Sequence, residues 1–91
     1  MFILIYQVTR WDHGSNARYT LKNEDLIINT QQIVSIKAIN FTPKMSEKSQ
    51  QEKIEKIYDT KFENLGIFDI YFSDETCKTI IGPKSKFENI K

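Results

Sequence analysis

Few groups in this chain of 91 residues are equipped for chemistry. His13 is the only imidazole and Cys77 the only thiol. A nucleophile needs a base within hydrogen-bond reach, and Ser15, so close to His13 in sequence, reads as a loop neighbour. Zinc and calcium sites need several thiolate, imidazole or carboxylate ligands at set spacings. No HxxxH, CxxC or calcium-loop pattern occurs. Gly82-Pro83-Lys84-Ser85 has the ending of a phosphate loop, but the upstream glycine is absent and Pro83 removes a backbone N–H that such a cradle uses. Glu24-Asp25 and Asp74-Glu75 sit where turn chemistry accounts for them. A glycosidase-type dyad would also need a cleft that this length hardly supports. The expectation is a protein without catalytic residues, metal or cofactor, and not an enzyme.

Binding chemistry is better represented. Arg10 and Arg18 are the only arginines, and they bracket the only tryptophan and the only histidine. Tryptophan, tyrosine and arginine most often carry interface energy, through rigid area and a planar, weakly hydrated charge. Arg10, Trp11, Asp12, His13, Arg18 and Tyr19 therefore form a candidate contact loop. The plainer reading packs Trp11 on a sheet edge and pairs Asp12 with an arginine. Lys78, Lys84 and Lys86 add a candidate basic patch.

The elements that must hold these residues read mostly as strands. Phe2, Leu4, Tyr6 and Val8 alternate on one face, while Ile3 and Ile5 precede polar Gln7 and Thr9 on the other. This predicts a strand covered on both sides at its start and on one side later. Residues 10–16 read as loop, and Arg18–Leu21 as a short returning strand. Leu26–Ile28 and Ile33–Ile36 flank a tight turn. Beyond them, Val34, Ile36 and Ala38 share one face while Ile39 and Phe41 take the other, which a bulge would reconcile. Thr42-Pro43 closes that strand.

The segment 44–66 reads as an insertion, either a helix or a flexible loop. Ile54, Ile57, Tyr58, Phe62 and Leu65 recur at helical spacing, predicting a helix over 47–64 with Gly66 as its C-cap. Phe68, Ile70 and Phe72 then alternate, Ser73–Thr76 make a polar turn, and Cys77–Ile81 return. Gly82-Pro83 breaks that strand. Ser85 with Glu88 three residues on is a capping-box pattern, predicting a short helix over Ser85–Lys91 docked by Phe87 and Ile90.

Several of these segments carry a resemblance. Leu26-Ile27-Ile28-Asn29 through Ile33-Val34-Ser35-Ile36, then Phe68-Asp69-Ile70-Tyr71-Phe72-Ser73-Asp74-Glu75-Thr76 and Phe87-Glu88-Asn89-Ile90, resemble the small β-rich proteins of the flagellar FlbD-like type, common in phages and mobile elements. Roughly half of the chain fits. Glu75 stands where the family has a turn glycine, and residues 42–66 are additional. The resemblance implies a small sheet domain and supplies no catalytic residues.

Composition sets the outer limits. The chain is long enough for one domain, 1–91. Its 40% hydrophobic and 27% charged residues suit a packed globule. A lone cysteine offers no internal disulfide, so a reducing, cytoplasmic setting is the default, with Cys77 read as a half-buried structural thiol. The N-terminus lacks the marks of a signal peptide, and no stretch reaches the roughly 20 apolar residues of a membrane span. Net charge is +1, too weak for non-specific DNA binding.

The expected fold class is α+β: an antiparallel sheet of four to five strands, one helix in the insertion and a short C-terminal helix. A small open barrel is the alternative. The expected function is a non-catalytic protein-binding module, of the kind used as a phage or mobile-element regulator or inhibitor, including anti-defence or anti-CRISPR inhibitors. The second reading is a small β protein that binds nucleic acid or nucleotide, with Arg10, Trp11, Arg18 and Tyr19 stacking and contacting phosphate. A homodimer through a sheet edge suits either.

Overall fold

The computed structural model describes residues 1–13 and 16–88. In chain order the elements are β1 (Phe2–His13), β2 (Asn16–Asn29), a 3-10 turn (Thr30–Gln32) and β3 (Ile33–Asn40). There follow α1 (Lys48–Tyr58), a second 3-10 turn (Phe62–Asn64), β4 (Leu65–Phe72), β5 (Cys77–Pro83) and α2 (Lys84–Glu88). The class is α+β, one five-stranded antiparallel sheet in the order β2-β1-β5-β4-β3.

That order is not flat. β2 and β3 are its two outer strands, yet only Thr30–Gln32 join them. Carried across the sheet, the register sets Asn29 level with a point about ten residues further along β3 than Ile33, a stagger that only a curled sheet absorbs. Pairing confirms the curl. β5 meets β1 at Tyr6–Ile81 and Gln7–Ile80 alone, but pairs with β4 along its whole length. Leu26 and Ile28 of β2 accordingly share one cluster with Ile33 and Ile36 of β3. The result is a curled, open sheet.

Strand alternation sorts the apolar residues into two cores, one on each side of the sheet. Inside the curl lie Ile3, Ile5, Ile28, Phe68, Ile70, Ile80 and, from α2, Phe87. On the outer side Val8, Tyr19, Leu65, Ile67 and Ile81 receive Met45 and Ile54 of α1. The start of β1 therefore has only one covered side. Ile3 and Ile5 are buried, whereas Phe2 and Leu4 are exposed, because α1 reaches the outer face only from Tyr6 onward.

Two glycines let the aromatic part of the inner core close. Gly66 and Gly82 face one another across β4 and β5. A Cβ on Gly66 would lie 3.2 Å from Phe41 Cδ1 and 3.3 Å from Phe68 Cε2. On Gly82 it would come within 2.7 Å of Phe87 Cδ2. Phe68 and Phe87 stack with ring centres 5.5 Å apart. Gly66 is thus a strand residue rather than a helix cap, and β5 continues through Gly82 to Pro83 rather than breaking there.

The helices also depart from their sequence reading. α1 stops at Tyr58, not residue 64, because Asp59 adopts the left-handed conformation at φ 51° and its N–H returns to the Glu55 and Lys56 carbonyls. The Glu55 carboxylate then accepts the Phe62 N–H at 2.9 Å and starts a separate turn. α2 begins at Lys84, so Ser85 lies within its first turn rather than before it. Phe87 docks it as expected, while Ile90 lies outside the described residues. Bulges at both ends of β3 resolve its conflicting faces. Cys77, the first residue of β5, is exposed rather than half-buried, and burial and the nearby Asp69 charge push its thiol pKa up.

Candidate functional site

The segment 10–13 is strand, not loop. β1 and β2 stay paired to their far ends, through Arg10–Tyr19, Trp11–Arg18, Asp12–Ala17 and His13–Asn16. Between Tyr6 and Val8 the register shifts, placing residues 22–24 of β2 opposite Gln7. Extra residues on one strand bend a ribbon and sharpen its twist. The distal half of the β1–β2 ribbon extends past the β1–β5 pairing, since β1 has no partner in β5 beyond Gln7 among the described residues.

Alternation then divides the predicted contact residues between two faces. Directly opposed residues of an antiparallel pair project to the same side, with Cβ atoms about 5 Å apart. Trp11 and Arg18 are such a pair, as are Thr9 and Thr20 beside them. Both Trp11 and Arg18 are exposed, Trp11 at 52%. Its indole N–H donates to Thr20 Oγ1 at 2.8 Å, which fixes the ring on the ribbon. A large aromatic surface and a cation are held side by side.

Tyr19 does not belong to that surface. It lies on the opposite face with Arg10, only 1% exposed, packed into the outer core with Met45. The cause is a strap, residues 44–46, that runs beside β2. The Tyr19 N–H donates to the Lys44 carbonyl at 2.9 Å, and the Ser46 N–H to the Tyr19 carbonyl at 2.8 Å. Gln50 of α1 extends the clamp by accepting the Leu21 N–H at 3.0 Å. Arg10 is exposed but not a free cation. Asp12 and His13 are placed by backbone register, and their side chains lie outside what is described.

The three lysines do not form one patch. Lys78 is near the start of β5 and Lys84 just past its end, about 20 Å apart for an extended strand. Lys84 is engaged, donating to the Glu63 carbonyl at 2.9 Å with its Nζ 5.4 Å from the Phe41 ring centre. The Lys86 Nζ lies 6.0 Å from the Phe87 ring centre. Both serve to fasten α2 and its aromatic neighbours.

A second surface was not apparent in the sequence. At the near end of the ribbon, Phe2 is 69% exposed and Ile27 70%. Leu4, opposite Ile27, is partly exposed too. Phe2 and Ile27 line a hollow of about 430 Å³ together with Ile28, Phe72, Asp74 and Lys78. The alternation that suggested it, Phe2-Leu4-Tyr6-Val8, was visible, but it reads equally well as a core face.

Among the described residues, no three metal-ligating side chains meet, and no helix is long and apolar enough to cross a membrane. No protein-family model matches the chain, and neither the curated proteins nor the solved structures contain a match.

Proposed function

We propose that this protein is a non-catalytic binding module that seats the Trp11–Arg18 face of its ribbon on a protein partner. The observation carrying this reading is the indole, half exposed yet tethered to Thr20, with Arg18 directly across from it. An aromatic ring fixed before binding loses little conformational freedom on docking. The strap and Gln50 support the same role by anchoring β2 behind the ribbon, so that it meets a partner as a stiff arm. Blocking a partner's surface suits a domain of this size, and a phage- or mobile-element-type inhibitor working in the cytoplasm is the form we favour.

Dispersal of the lysines argues against nucleic acid as the main partner, because affinity for phosphate requires several cations acting together. Co-purification from the host cell, with wild type and Trp11→Ala compared, tests the proposal. Trp11→Ala and Arg18→Glu should each weaken the captured complex about thirtyfold or more, the level of an interface hot spot, while circular dichroism stays unchanged. Partner retention by both variants rejects the ribbon. Tight, steeply salt-dependent binding to a single-stranded oligonucleotide would reassign it to nucleic acid.

A further inference from the structure

The Phe2–Ile27 surface lies at the opposite end of β1 from Trp11, about 30 Å away along an extended strand. Isolated exposed apolar residues need no explanation, but these are contiguous. Phe2 and Leu4 project from the same side of β1, and Leu4 pairs with Ile27. A contiguous exposed apolar patch of this kind marks an interaction surface.

We infer that this surface joins two copies of the chain in a two-fold dimer, with Phe2 and Ile27 of each copy entering the hollow of the other. Three features select a second copy as the occupant. The first is shape, because knob and hollow share one surface, as an interface that meets itself requires. A hollow of about 430 Å³ has room for an aromatic ring, since a cavity of ~150 Å³ already accepts benzene.

The second is charge. The rim holds one cation, Lys78, and one anion, Asp74. The Thr76 hydroxyl and N–H hold the Asp74 carboxyl below the ordinary carboxylate range, so it is ionised at neutral pH. Lys78 already lies near Asp74 in its own chain, and a two-fold axis through the hollow would let each residue also face its opposite charge in the other copy. The third is area. A standard interface needs about 800 Å² per partner, more than a lone exposed side chain offers, and here three exposed apolar residues adjoin the hollow and its polar rim. Such a dimer leaves both ribbons free and presents two Trp11 anchors at once, which raises the avidity for a repeated or dimeric target.

Sedimentation equilibrium between about 1 μM and 1 mM tests this directly. Wild type should show a concentration-dependent monomer–dimer equilibrium. Phe2→Asp and Ile27→Asp, both at exposed positions and so expected to fold, should each raise the dimer Kd about thirtyfold or more. Trp11→Ala should leave it unchanged. A monomer throughout that range overturns the inference, as does a dimer that survives both aspartate substitutions. A dimer lost with Trp11→Ala but not with Phe2→Asp moves the contact to the ribbon and also overturns it. The partner-capture experiment is read independently, so either proposal can fail alone.

Discussion

Replacing Gly82 with alanine adds one methyl group, and the structure says where it must go. Its Cβ would lie within 2.7 Å of Phe87 Cδ2 and 3.2 Å of Phe87 Cζ, inside the ring's van der Waals surface. Phe87 is 2% exposed and wedged against Phe68, so it cannot turn aside at no cost. Keeping the ring in place strains the core by about 1–3 kcal/mol. Expelling it forfeits about 1.5–3 kcal/mol of burial and up to about 1.5 kcal/mol of aromatic contact.

The cheaper route sets the cost at about 1–3 kcal/mol, a large share of the roughly 5–14 kcal/mol expected for a domain of this length. At an unstrained strand position the same change would stabilise by about 0.5–1 kcal/mol, so the sign is diagnostic. Urea titration followed by circular dichroism measures it. Phe87→Leu, which clears the ring edge at the cost of a partly filled site, supplies the control background. There Gly82→Ala should cost less than about 1 kcal/mol, a coupling characteristic of residues in contact. Equal cost in both backgrounds, or a stabilising Gly82→Ala, refutes this packing of α2 on the sheet through Phe87.

Two further predictions concern the remainder of the sheet and α1. Glu75 occupies the left-handed region at φ 70° in the β4–β5 turn, where a side chain costs about 1–2 kcal/mol. Allowing for glycine's greater freedom when unfolded, Glu75→Gly should stabilise by about 0.5–1 kcal/mol and raise Tm by a few degrees in calorimetry; a lower Tm would show that the glutamate makes a compensating contact. Tyr58 donates its hydroxyl to the Ile81 carbonyl at 3.0 Å and packs edge-on against Tyr6. Burial, with the Tyr6 charge second, raises its pKa far above the ordinary 10.0. Above pH 10 the unfolded chain loses the tyrosine proton while the folded chain keeps it, so stability should fall as pH climbs from there. Tyr58→Phe should cost about 1 kcal/mol at neutral pH and flatten that alkaline decline, and an unaltered pH profile would place Tyr58 in water.

What the sequence revealed, and what it hid, follows from the range of the interactions involved. Alternation is local, so the β4–β5 hairpin and the turn after β2 could be read directly. Of the apolar stripe expected for α1, only Ile54 and Tyr58 pack from the helix onto the core, Ile57 being exposed and Phe62 and Leu65 lying beyond its end. Asp59 and Glu55 ended α1 early through a left-handed residue and a carboxylate reaching seven positions ahead, and periodicity records neither. Gly66 and Gly82 looked like punctuation because glycine usually is. Their actual role, making room for Phe41, Phe68 and Phe87, depends on side chains brought over them by the curl of the sheet.

The candidate site divides in the same way. Residue type alone singled out Trp11 and Arg18, because anchor chemistry belongs to the side chain itself. Tyr19 shares that chemistry, yet it is buried by a strap 25 positions further on that composition gives no reason to place there. Strand parity is what separates these neighbours. Once residues 10–13 and 16–19 are paired strands rather than loop, Arg10 and Tyr19 must face away from Trp11 and Arg18, which leaves Trp11 and Arg18 as an exposed pair on one face, with exposed Arg10 and buried Tyr19 on the other. If that parity were wrong by one residue, Trp11 would be in the core and Tyr19 at the surface, and tryptophan fluorescence would be blue-shifted and shielded from quenchers. An emission typical of a solvated indole, readily quenched, is the result this register demands.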